Sequence, residues 1–240
     1  MNTNLESDVI VDLIADLKSE LSSDLKADLS SDLKVDSKAD LTADKIDLGQ
    51  LKGKQIGFAL TGSFCTFARA LNVVRALVEA GASVQPILSY AAAQSDTRFM
   101  KARDLISQLT TITGKMPWRT LQQVEPIGPQ RKVDMLVVAP ATGNSLAKLA
   151  HGITDTPALL AVKSTLRNGS PIVLAVSTND GLAAAAQNIG ILLSRKHIFF
   201  VPFGQDDPKG KPTSLVANME MIPKTCALAF MGEQVQPILV

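Results

Sequence analysis

The sequence predicts an α/β fold: a doubly wound parallel β-sheet with helices on both faces, arranged as a three-layer sandwich. Two observations support this prediction. Residues 135–139 and 172–176 are uninterrupted apolar runs, which are typical of strands covered on both faces. Short apolar runs also alternate along the chain with longer segments of helical periodicity, and this alternation favours parallel strands joined by crossover helices.

The composition allows a single globular domain, since 46% of the 240 residues are hydrophobic and the formal net charge is +1. Two cysteines are too few for a disulfide framework, which fits a reducing compartment. No apolar run reaches the roughly 20 residues that span a bilayer. The N-terminus does not resemble a signal peptide, and no basic, aromatic-rich patch suggests nucleic-acid binding. We expect a cytoplasmic protein that binds neither membranes nor nucleic acid.

The first 48 residues form a low-complexity acidic tail with twelve acidic residues and five lysines, a net charge of −7. An acidic residue recurs every fourth position from Asp8 to Asp44, and a leucine often follows it. A four-residue step overshoots a helical turn by about 40°, so the leucines cannot keep one face on a core. Two interpretations stay open: a disordered or transiently helical segment, and an acidic docking arm. We assign residues 49–240 to the folded domain.

The first half of this domain begins with a buried strand at 56–60 and a turn at Thr61, Gly62 and Ser63. A helix follows from Phe67 and closes at Gly81, because a glycine commonly ends a helix. The remaining predicted elements are a strand at 83–88, a helix that Asp96 and Thr97 cap and that runs to about Thr113, and a short strand near 118–124 within a loop-rich segment.

The second half contains the two apolar strands, 135–139 and 172–176, each followed by a polar loop and a helix. Pro140 marks the end of the first of these strands. The other predicted elements are a helix from Pro157 to about Arg167, a helix at 181–194, a strand at 198–201, a loop at 202–212 and a last helix from about Leu215 to Phe230.

Four polar loops follow strands of the predicted sheet. Because the carboxyl ends of parallel strands meet at one edge, we expect these loops to form a ligand site there. They are rich in small hydroxyl and amide residues and contain no metal-ligand cluster, which favours a flat anionic ligand such as a mononucleotide. The loops are Thr61-Gly62-Ser63, Ser89, Ala141-Thr142-Gly143-Asn144 and Ser177-Thr178-Asn179.

The turn at Gly62 and Ser63 is a candidate phosphate cradle. It leads from a strand into a helix N-terminus, where free N–H groups and the helix dipole favour an anion. The alternative is that this glycine turn is only a connection.

Three motifs of the chain resemble those of the flavoprotein family, which includes flavin-dependent cysteine decarboxylases and flavin prenyltransferases. TGS follows the first strand, PATGNS at 140–145 resembles the family's PASANT motif, and STN at 177–179 is a reduced form of PxMN. Over residues 51–240 the chain resembles one branch more closely, the B subunits of dipicolinate synthases. The segments that carry this closer resemblance are LKGKQIGFALTGS, SDTRF, VVAPATGNSLAKLA, ITDTPALLAVKSTLRN, PIVLAVSTNDGL and FVPFGQDDP.

The resemblance implies a flavodoxin-like, Rossmann-like fold and a homo-oligomer that acts with the nicotinamide-binding A subunits of such synthases. Together the two kinds of subunit would make dipicolinate from a dihydrodipicolinate-type lysine-pathway intermediate during sporulation, with NADP supplied by the nicotinamide-binding partner. FMN is an implied cofactor, and Asn144 and Asn179 match the family's catalytic or substrate-carboxylate asparagines. With the polar-loop residues added, the expected cofactor contacts are Thr61, Gly62, Ser63, Ser89, Pro140, Ala141, Thr142 and Ser177.

The chain departs from the family pattern in ways that argue against decarboxylation. The segment after the second strand has no histidine, Gly143 replaces the alanine of PASANT, and Asn179 lacks its methionine neighbour. Two hypotheses follow from different protein classes. In the first hypothesis the protein is one component of an enzyme and binds a carboxylated heterocycle. In the second hypothesis the protein is non-catalytic, stabilises or regulates the nicotinamide-binding partner, and keeps a vestigial flavin pocket.

Four further side chains have two interpretations each. Arg98 either holds a substrate carboxylate in a bidentate fork or begins a solvated helix. Cys65 is either a reactive thiol near a helix N-terminus or a small buried hydrophobe. Asp206 and Asp207, within GQDDP at 204–208, resemble a paired-carboxylate site, but the prolines on either side favour a rigid turn, and a contact with a partner or another subunit is the alternative.

Deleting residues 1–48 should leave the thermal midpoint nearly unchanged, because a drifting leucine stripe gives the tail no constant face for the core. Differential scanning calorimetry of the full and shortened chains measures this. A large drop of the midpoint in the shortened chain would contradict the periodicity argument.

Overall fold

A computed structural model describes residues 48–240, so the prediction for the acidic tail lies outside the described residues apart from Leu48. Seven strands form one sheet in the order β2-β1-β3-β4-β7-β6, and β5 pairs with β4 as well. The strands are β1 (Gln55–Leu60), β2 (Ser83–Leu88), β3 (Met135–Ala141), β4 (Ile172–Thr178), β5 (Ile198–Phe200), β6 (Phe203–Gly204) and β7 (Leu215–Ala217).

Nine α-helices and three short 3-10 helices connect these strands within the described part of the chain. The 3-10 helices span Leu48–Leu51, Phe64–Thr66 and Met219–Met221. The α-helices are α1 (Phe67–Glu79), α2 (Tyr90–Gln94), α3 (Ala102–Thr113), α4 (Leu121–Val124), α5 (Ile127–Gln130), α6 (Gly143–Ala150), α7 (Pro157–Arg167), α8 (Ala186–Leu193) and α9 (Ile222–Phe230).

The flavodoxin-like α/β fold is confirmed, with β1 to β5 parallel and helices packed on the sheet. All seven residues of β3 are buried, as expected for a strand that lies between two helical layers. Helices α3 and α9 pack beside α1, and α4, α5 and α6 pack beside α7. This layering brings the carboxyl ends of β1, β3 and β4 to one edge of the sheet.

The predicted bounds of β2 and α7 match the structure, while β3 runs two residues further than predicted. Pro140 lies inside β3 and follows a cis peptide bond. The register between β3 and β4 shifts between Val138 and Ala141. A proline has no N–H to donate to a neighbouring strand, so the chain can stay extended there only with a local irregularity in the pairing.

Two predictions in the middle of the chain were wrong. The helix predicted from Asp96 begins at Ala102, although the carboxylate of Asp96 still accepts a hydrogen bond from the Ala102 N–H at 2.9 Å. The predicted strand near 118–124 is a single bridge between Trp118 and Ile87, followed by α4. A capping box of Thr120 and Gln123 begins that helix, and this local signal overrides the β-propensity of the segment.

The third wrong prediction concerns residues 202–217. The last α-helix begins at Ile222 instead of Leu215, and the predicted loop contains β6, with β7 after it. These two strands are antiparallel to each other, and β7 is antiparallel to β4 at Ser177 and Thr178. They form a β-ribbon at the carboxyl edge of the sheet, beside the predicted ligand loops. The helix predicted at 181–194 is also shorter, since α8 spans Ala186–Leu193.

Replacing Gly81 by alanine should destabilise the fold by about 1–2 kcal/mol. Gly81 has a φ of +86°, a left-handed backbone conformation that is unfavourable for any residue with a Cβ. An added Cβ would also lie 3.2 Å from Cγ of Lys52. Urea unfolding measures the change in the free energy of unfolding.

Gly190→Ala is the matched control for this change. Gly190 lies within α8, and no atom lies within 4 Å of an added Cβ. Alanine there should stabilise the protein by roughly 0.5–1 kcal/mol. Equal effects of the two variants would contradict the assignment of strain to Gly81.

Candidate functional site

A cavity of about 660 Å³ lies at the carboxyl edge of the sheet. Its wall comes from the loops after β1, β3 and β4, the first turns of the helix that follows β1, residues 98–99, and the loop between β6 and β7. The volume falls within the range of about 300–1,000 Å³ that is usual for small-molecule sites. The predicted site residues that the structure brings together here are Gly62, Ser63, Arg98, Thr142, Ser177 and Asn179.

The other five predicted residues do not line the cavity. Pro140 and Ala141 are fully buried in β3, and Asn144 is exposed on the first turn of α6. Ser89 is buried and caps α2, where its hydroxyl accepts from the Ala92 N–H at 3.3 Å. Thr61 is the fifth of these residues, and it lies behind the cavity wall.

The hydroxyl of Thr61 joins the loops that follow β1 and β3. It donates to the carbonyl of Pro140 at 2.7 Å and accepts from the backbone N–H of Thr142 at 3.2 Å. Thr61 is only 2% exposed, and its bond to the Pro140 carbonyl is buried. It therefore acts on a ligand through the loops that it holds together.

Side-chain hydroxyls form the neutral part of the cavity wall. Thr142 caps α6 by accepting from the Ser145 N–H at 3.2 Å, and its hydroxyl lies 2.9 Å from that of Ser145. The hydroxyls of Ser63 and Ser177 are 2.8 Å apart, so they link the loops after β1 and β4. Hydroxyls can donate or accept, which suits this wall to carboxylate, phosphate or carbonyl oxygens.

The departure from PASANT at Gly143 has a steric cause. A Cβ there would lie 2.6 Å from Oγ1 of Thr178 and 2.7 Å from Oδ1 of Asp180. Thr178 donates a hydrogen bond to that Asp180 oxygen, so the pair occupies the space that an alanine methyl group needs. Glycine at this position lets the loops after β3 and β4 approach closely.

Three cationic side chains line the cavity, whereas the sequence indicated Arg98 alone. The guanidinium of Arg98 lies 4.8 Å from the centre of the Phe99 ring and has no carboxylate partner within residues 48–240. Arg69, on α1, contacts both carboxylate oxygens of Glu220, at 2.8 and 3.3 Å. This hydrogen-bonded pairing with Arg69 lowers the pKa of Glu220 below its usual value. The third cation is Lys211, in the loop between β6 and β7.

Sequence reasoning missed Arg69 and Lys211 for different reasons. Arg69 is a polar position in an amphipathic helix, which usually indicates a solvated face. Its place directly after the candidate phosphate cradle was the available signal, because the first turns of such a helix face the ligand edge. Lys211 had no such signal, because its loop reaches the cavity only through the antiparallel pairing of β7 with β4.

The two adjacent aspartates at 206 and 207 have separate surroundings. Asp207 makes a turn, since one of its carboxylate oxygens accepts from the Gly210 N–H at 2.8 Å and its carbonyl from the Lys211 N–H at 2.7 Å. Asp206 lines the cavity and lies 3.3 Å from Nζ of Lys211. A hydrogen bond from the Ser214 hydroxyl, assisted by Lys211, lowers the pKa of Asp206.

The two cysteines also differ. Cys65 is exposed and lines the cavity, with its sulfur 3.9 Å from the Ser63 hydroxyl, so the interpretation as a buried hydrophobe was wrong. Cys226 is buried in α9, and burial raises the pKa of its thiol well above the usual value.

The candidate phosphate cradle begins with a 3-10 turn, so some of its N–H groups are already bonded. Phe64 N–H donates to the Gly62 carbonyl at 3.1 Å, and Thr66 N–H donates to the Ser63 carbonyl at 3.2 Å. The backbone N–H of Ser63 has no partner among the described residues. An added Cβ at Gly62 would meet only the Ala91 Cβ, at 3.8 Å, so the turn leaves room for a ligand. The free N–H, the hydroxyls and the nearby cations fit the phosphate of FMN.

Two kinds of feature are missing from residues 48–240. No cluster of three or more histidine, cysteine or acidic side chains there has a metal-binding arrangement. None of the helices in this range combines the length and the hydropathy needed to cross a bilayer.

Known proteins resemble this chain over most of its length. The sequence profile of the Flavoprotein family matches residues 45–223. The B subunit of dipicolinate synthase from Bacillus subtilis (strain 168) is 45% identical over 193 residues, which are 80% of this chain and 96% of that protein.

Two solved structures are similar to the chain. A crystal structure of the B subunit of dipicolinate synthase from Bacillus halodurans is 44% identical, has a TM-score of 0.74, and is matched over 79% of this chain and 97% of that one. The FMN-dependent cysteine decarboxylase SpaF shares the fold, with 19% identity, a TM-score of 0.57, and coverage of 76% and 98%.

The crowding around Gly143 predicts that Gly143→Ala destabilises the protein by about 1–3 kcal/mol, the usual cost of overpacking. An Asp180→Ala change should recover much of this loss in the double variant, because it vacates part of the same space. A double-mutant cycle by urea unfolding measures the coupling. Strictly additive effects of the two changes would show that the contact does not explain the glycine.

Proposed function

The chain belongs to the flavoprotein family and, within it, to the branch of the dipicolinate synthase B subunits, and on this basis we propose that it is one component of a dipicolinate synthase. In this proposal it is a cytoplasmic homo-oligomer, active during sporulation, that works with the nicotinamide-binding A subunit. The overall reaction removes a hydride and a proton from a dihydrodipicolinate-type intermediate. The hydride reduces NADP⁺ held by that partner, the proton passes to solvent, and dipicolinate is the aromatic product.

The observation that carries this proposal is the donor set of the cavity, which suits carboxylates. Arg98 supplies a planar cation without a carboxylate partner in the described structure. Thr142 and Ser177 supply hydroxyls, and Asn179 adds an amide. A dicarboxylated heterocycle needs cations for its charges and neutral donors for its remaining oxygens. In this assignment Arg98 holds one substrate carboxylate and Asn179 orients it.

The cavity is better suited to binding and orienting a substrate than to moving protons. Neither His151 nor His197 lines it. Asp206 is a weak base, because the Ser214 hydroxyl and Lys211 lower the pKa of its carboxyl group. Side chains of this kind cannot accept a hydride, so the redox chemistry must come from a cofactor.

FMN, when bound, would supply a hydride carrier between the substrate and the NADP⁺ of the partner. Ser63 would hold its phosphate through the free N–H, and Gly62, Thr142 and Ser177 would form the wall against the flavin. Thr61, Ser89, Pro140 and Ala141 would support these contacts from behind. Asn144, on the exposed first turn of α6, is proposed as a second amide that orients a ligand extending beyond the cavity.

One observation favours the alternative, a non-catalytic protein that stabilises or regulates the nicotinamide-binding partner. Pro140 and Ala141, two of the FMN contacts that the family resemblance implies, are fully buried and do not reach the cavity. Titration with FMN separates the two functions. A flavin that binds and is reduced when substrate and the partner are added supports the catalytic component, whereas a chain that only stabilises the partner supports the alternative.

The isolated chain should bind pyridine-2,6-dicarboxylate and form little product without the nicotinamide-binding partner. Asn179→Ala should weaken binding by about 1–3 kcal/mol, because it removes a hydrogen bond to a charged carboxylate. Isothermal titration calorimetry measures the affinity. Asn72→Ala is the matched control, since Asn72 is exposed on α1 and contacts Arg75.

Full synthase activity of this chain alone would contradict the division of labour. An unchanged affinity of the Asn179 variant would remove that residue from the site. The same measurement on Asn144→Ala tests whether the ligand extends to the first turn of α6.

A further inference from the structure

The loop between β6 and β7, residues 205–214, is the part of the cavity wall that the proposed function leaves unassigned. Its conformation is defined by internal hydrogen bonds. The Asp207 turn holds the backbone of Gly210 and Lys211, and the Gln205 side chain donates to the Pro212 carbonyl at 2.8 Å. A Cβ at position 210 would collide with the Asp207 carboxylate. The loop therefore presents Lys211 from a fixed backbone position.

The end of this loop is fastened to the candidate carboxylate site. The hydroxyl of Thr213 donates to the carbonyl of Asn179 at 2.7 Å, and the Leu182 N–H donates to the carbonyl of Thr213 at 2.9 Å. Ser214 is 1% exposed and directly precedes the stretch that pairs with β4. Lys211 and Asn179 thus belong to one connected piece of structure.

The ammonium group of Lys211 is available to a ligand. Its contact with Asp206 is a single one of 3.3 Å, and its side chain is 55% exposed. Asp206 has a second partner, the hydroxyl of Ser214. The hydrogen bond from this hydroxyl is the main cause of the lowered pKa of the Asp206 carboxyl group. Asp206 would therefore stay paired if Lys211 turned towards an anion. Arg69 differs, since both oxygens of Glu220 engage its guanidinium.

We propose that Lys211 binds the second carboxylate of the substrate and so makes the cavity selective for dicarboxylated heterocycles over monocarboxylated ones. This inference rests on the proposed function, which assigns the first carboxylate to Arg98. The two cations line the cavity from opposite ends of the sheet. Arg98 lies in the segment after β2, which is at one end, and Lys211 lies in the loop before β7, which is near the other end. A ligand with two carboxylates offers one negative charge to each cation, whereas a ligand with one carboxylate offers a single charge to both.

Asp206 has a defined part in this arrangement. Without a ligand it is the counterion of Lys211, and with a ligand it keeps its hydrogen bond from Ser214 while the lysine contacts the carboxylate. Its negative charge opposes an incoming anion, so removing that charge should tighten dicarboxylate binding. Asp206→Asn does this and retains an oxygen that can accept from Ser214.

The test compares pyridine-2,6-dicarboxylate with pyridine-2-carboxylate by isothermal titration calorimetry on the full chain. The wild-type protein should prefer the dicarboxylate at least about tenfold, the scale of one charge-assisted hydrogen bond. Lys211→Gln should bring this ratio close to one, and Asp206→Asn should strengthen dicarboxylate binding. Lys209→Gln is the matched control, since Lys209 is exposed in the same loop and does not line the cavity.

The outcomes separate this inference from the proposed function. Loss of the preference in Lys211→Gln, with an unchanged thermal midpoint and an unchanged Lys209→Gln control, supports the inference. An unchanged preference for the dicarboxylate in Lys211→Gln overturns the inference. A variant that loses only FMN affinity also overturns it, because that result would assign Lys211 to the flavin phosphate. Wild-type protein that binds FMN but no dicarboxylate overturns the proposed substrate, and the inference with it. Weaker dicarboxylate binding in Asp206→Asn contradicts the part assigned to Asp206.

Discussion

The buried hydroxyl of Thr61 is the interaction on which the candidate site depends. It bonds to the Pro140 carbonyl and the Thr142 N–H, at the point where Pro140 interrupts the regular pairing of β3. Without Thr61 the buried Pro140 carbonyl would lose its partner away from water, at a cost of about 1–3 kcal/mol. The same bonds place the loop after β1 beside the start of α6. The cavity wall between Ser63 and Thr142 therefore follows from one side chain that a ligand never meets.

The charges around the cavity are neutralised to different degrees, and this difference gives the site its chemical character. Arg69 is engaged by two carboxylate oxygens, Lys211 by one, and Arg98 by none within the described part of the chain. A cation without a carboxylate partner gains most from an incoming anion, because no existing ion pair has to break. The neutral hydroxyls between these cations add donors without adding charge. This arrangement suits a small, rigid ligand that carries more than one carboxylate.

Elements defined by local signals were predicted well from the sequence. The apolar run of β4 and the proline at the start of α7 are visible within a few residues, and the structure confirms both elements. The ribbon of β6 and β7 was missed, because Leu215 to Ala217 extend through pairing with β6 and with Ser177 and Thr178, which are far away in the sequence. A helix was an equally reasonable expectation for so short an apolar stretch. Lys211 was missed for the same reason, since its position depends on that pairing.

The sequence by itself determined the α/β class, the alternation of the main strands with helices and the edge at which their polar loops meet. These features follow from hydrophobic periodicity and from the rule that parallel strands need crossover connections. The tertiary structure alone decided which polar side chains face the cavity. Thr61 and Ser89 look like wall residues in the sequence, yet they bond to the backbone behind it, whereas Arg69 and Lys211 look solvated and line it. The reason is that a side chain's partner is set by distances across loops, which no local pattern encodes.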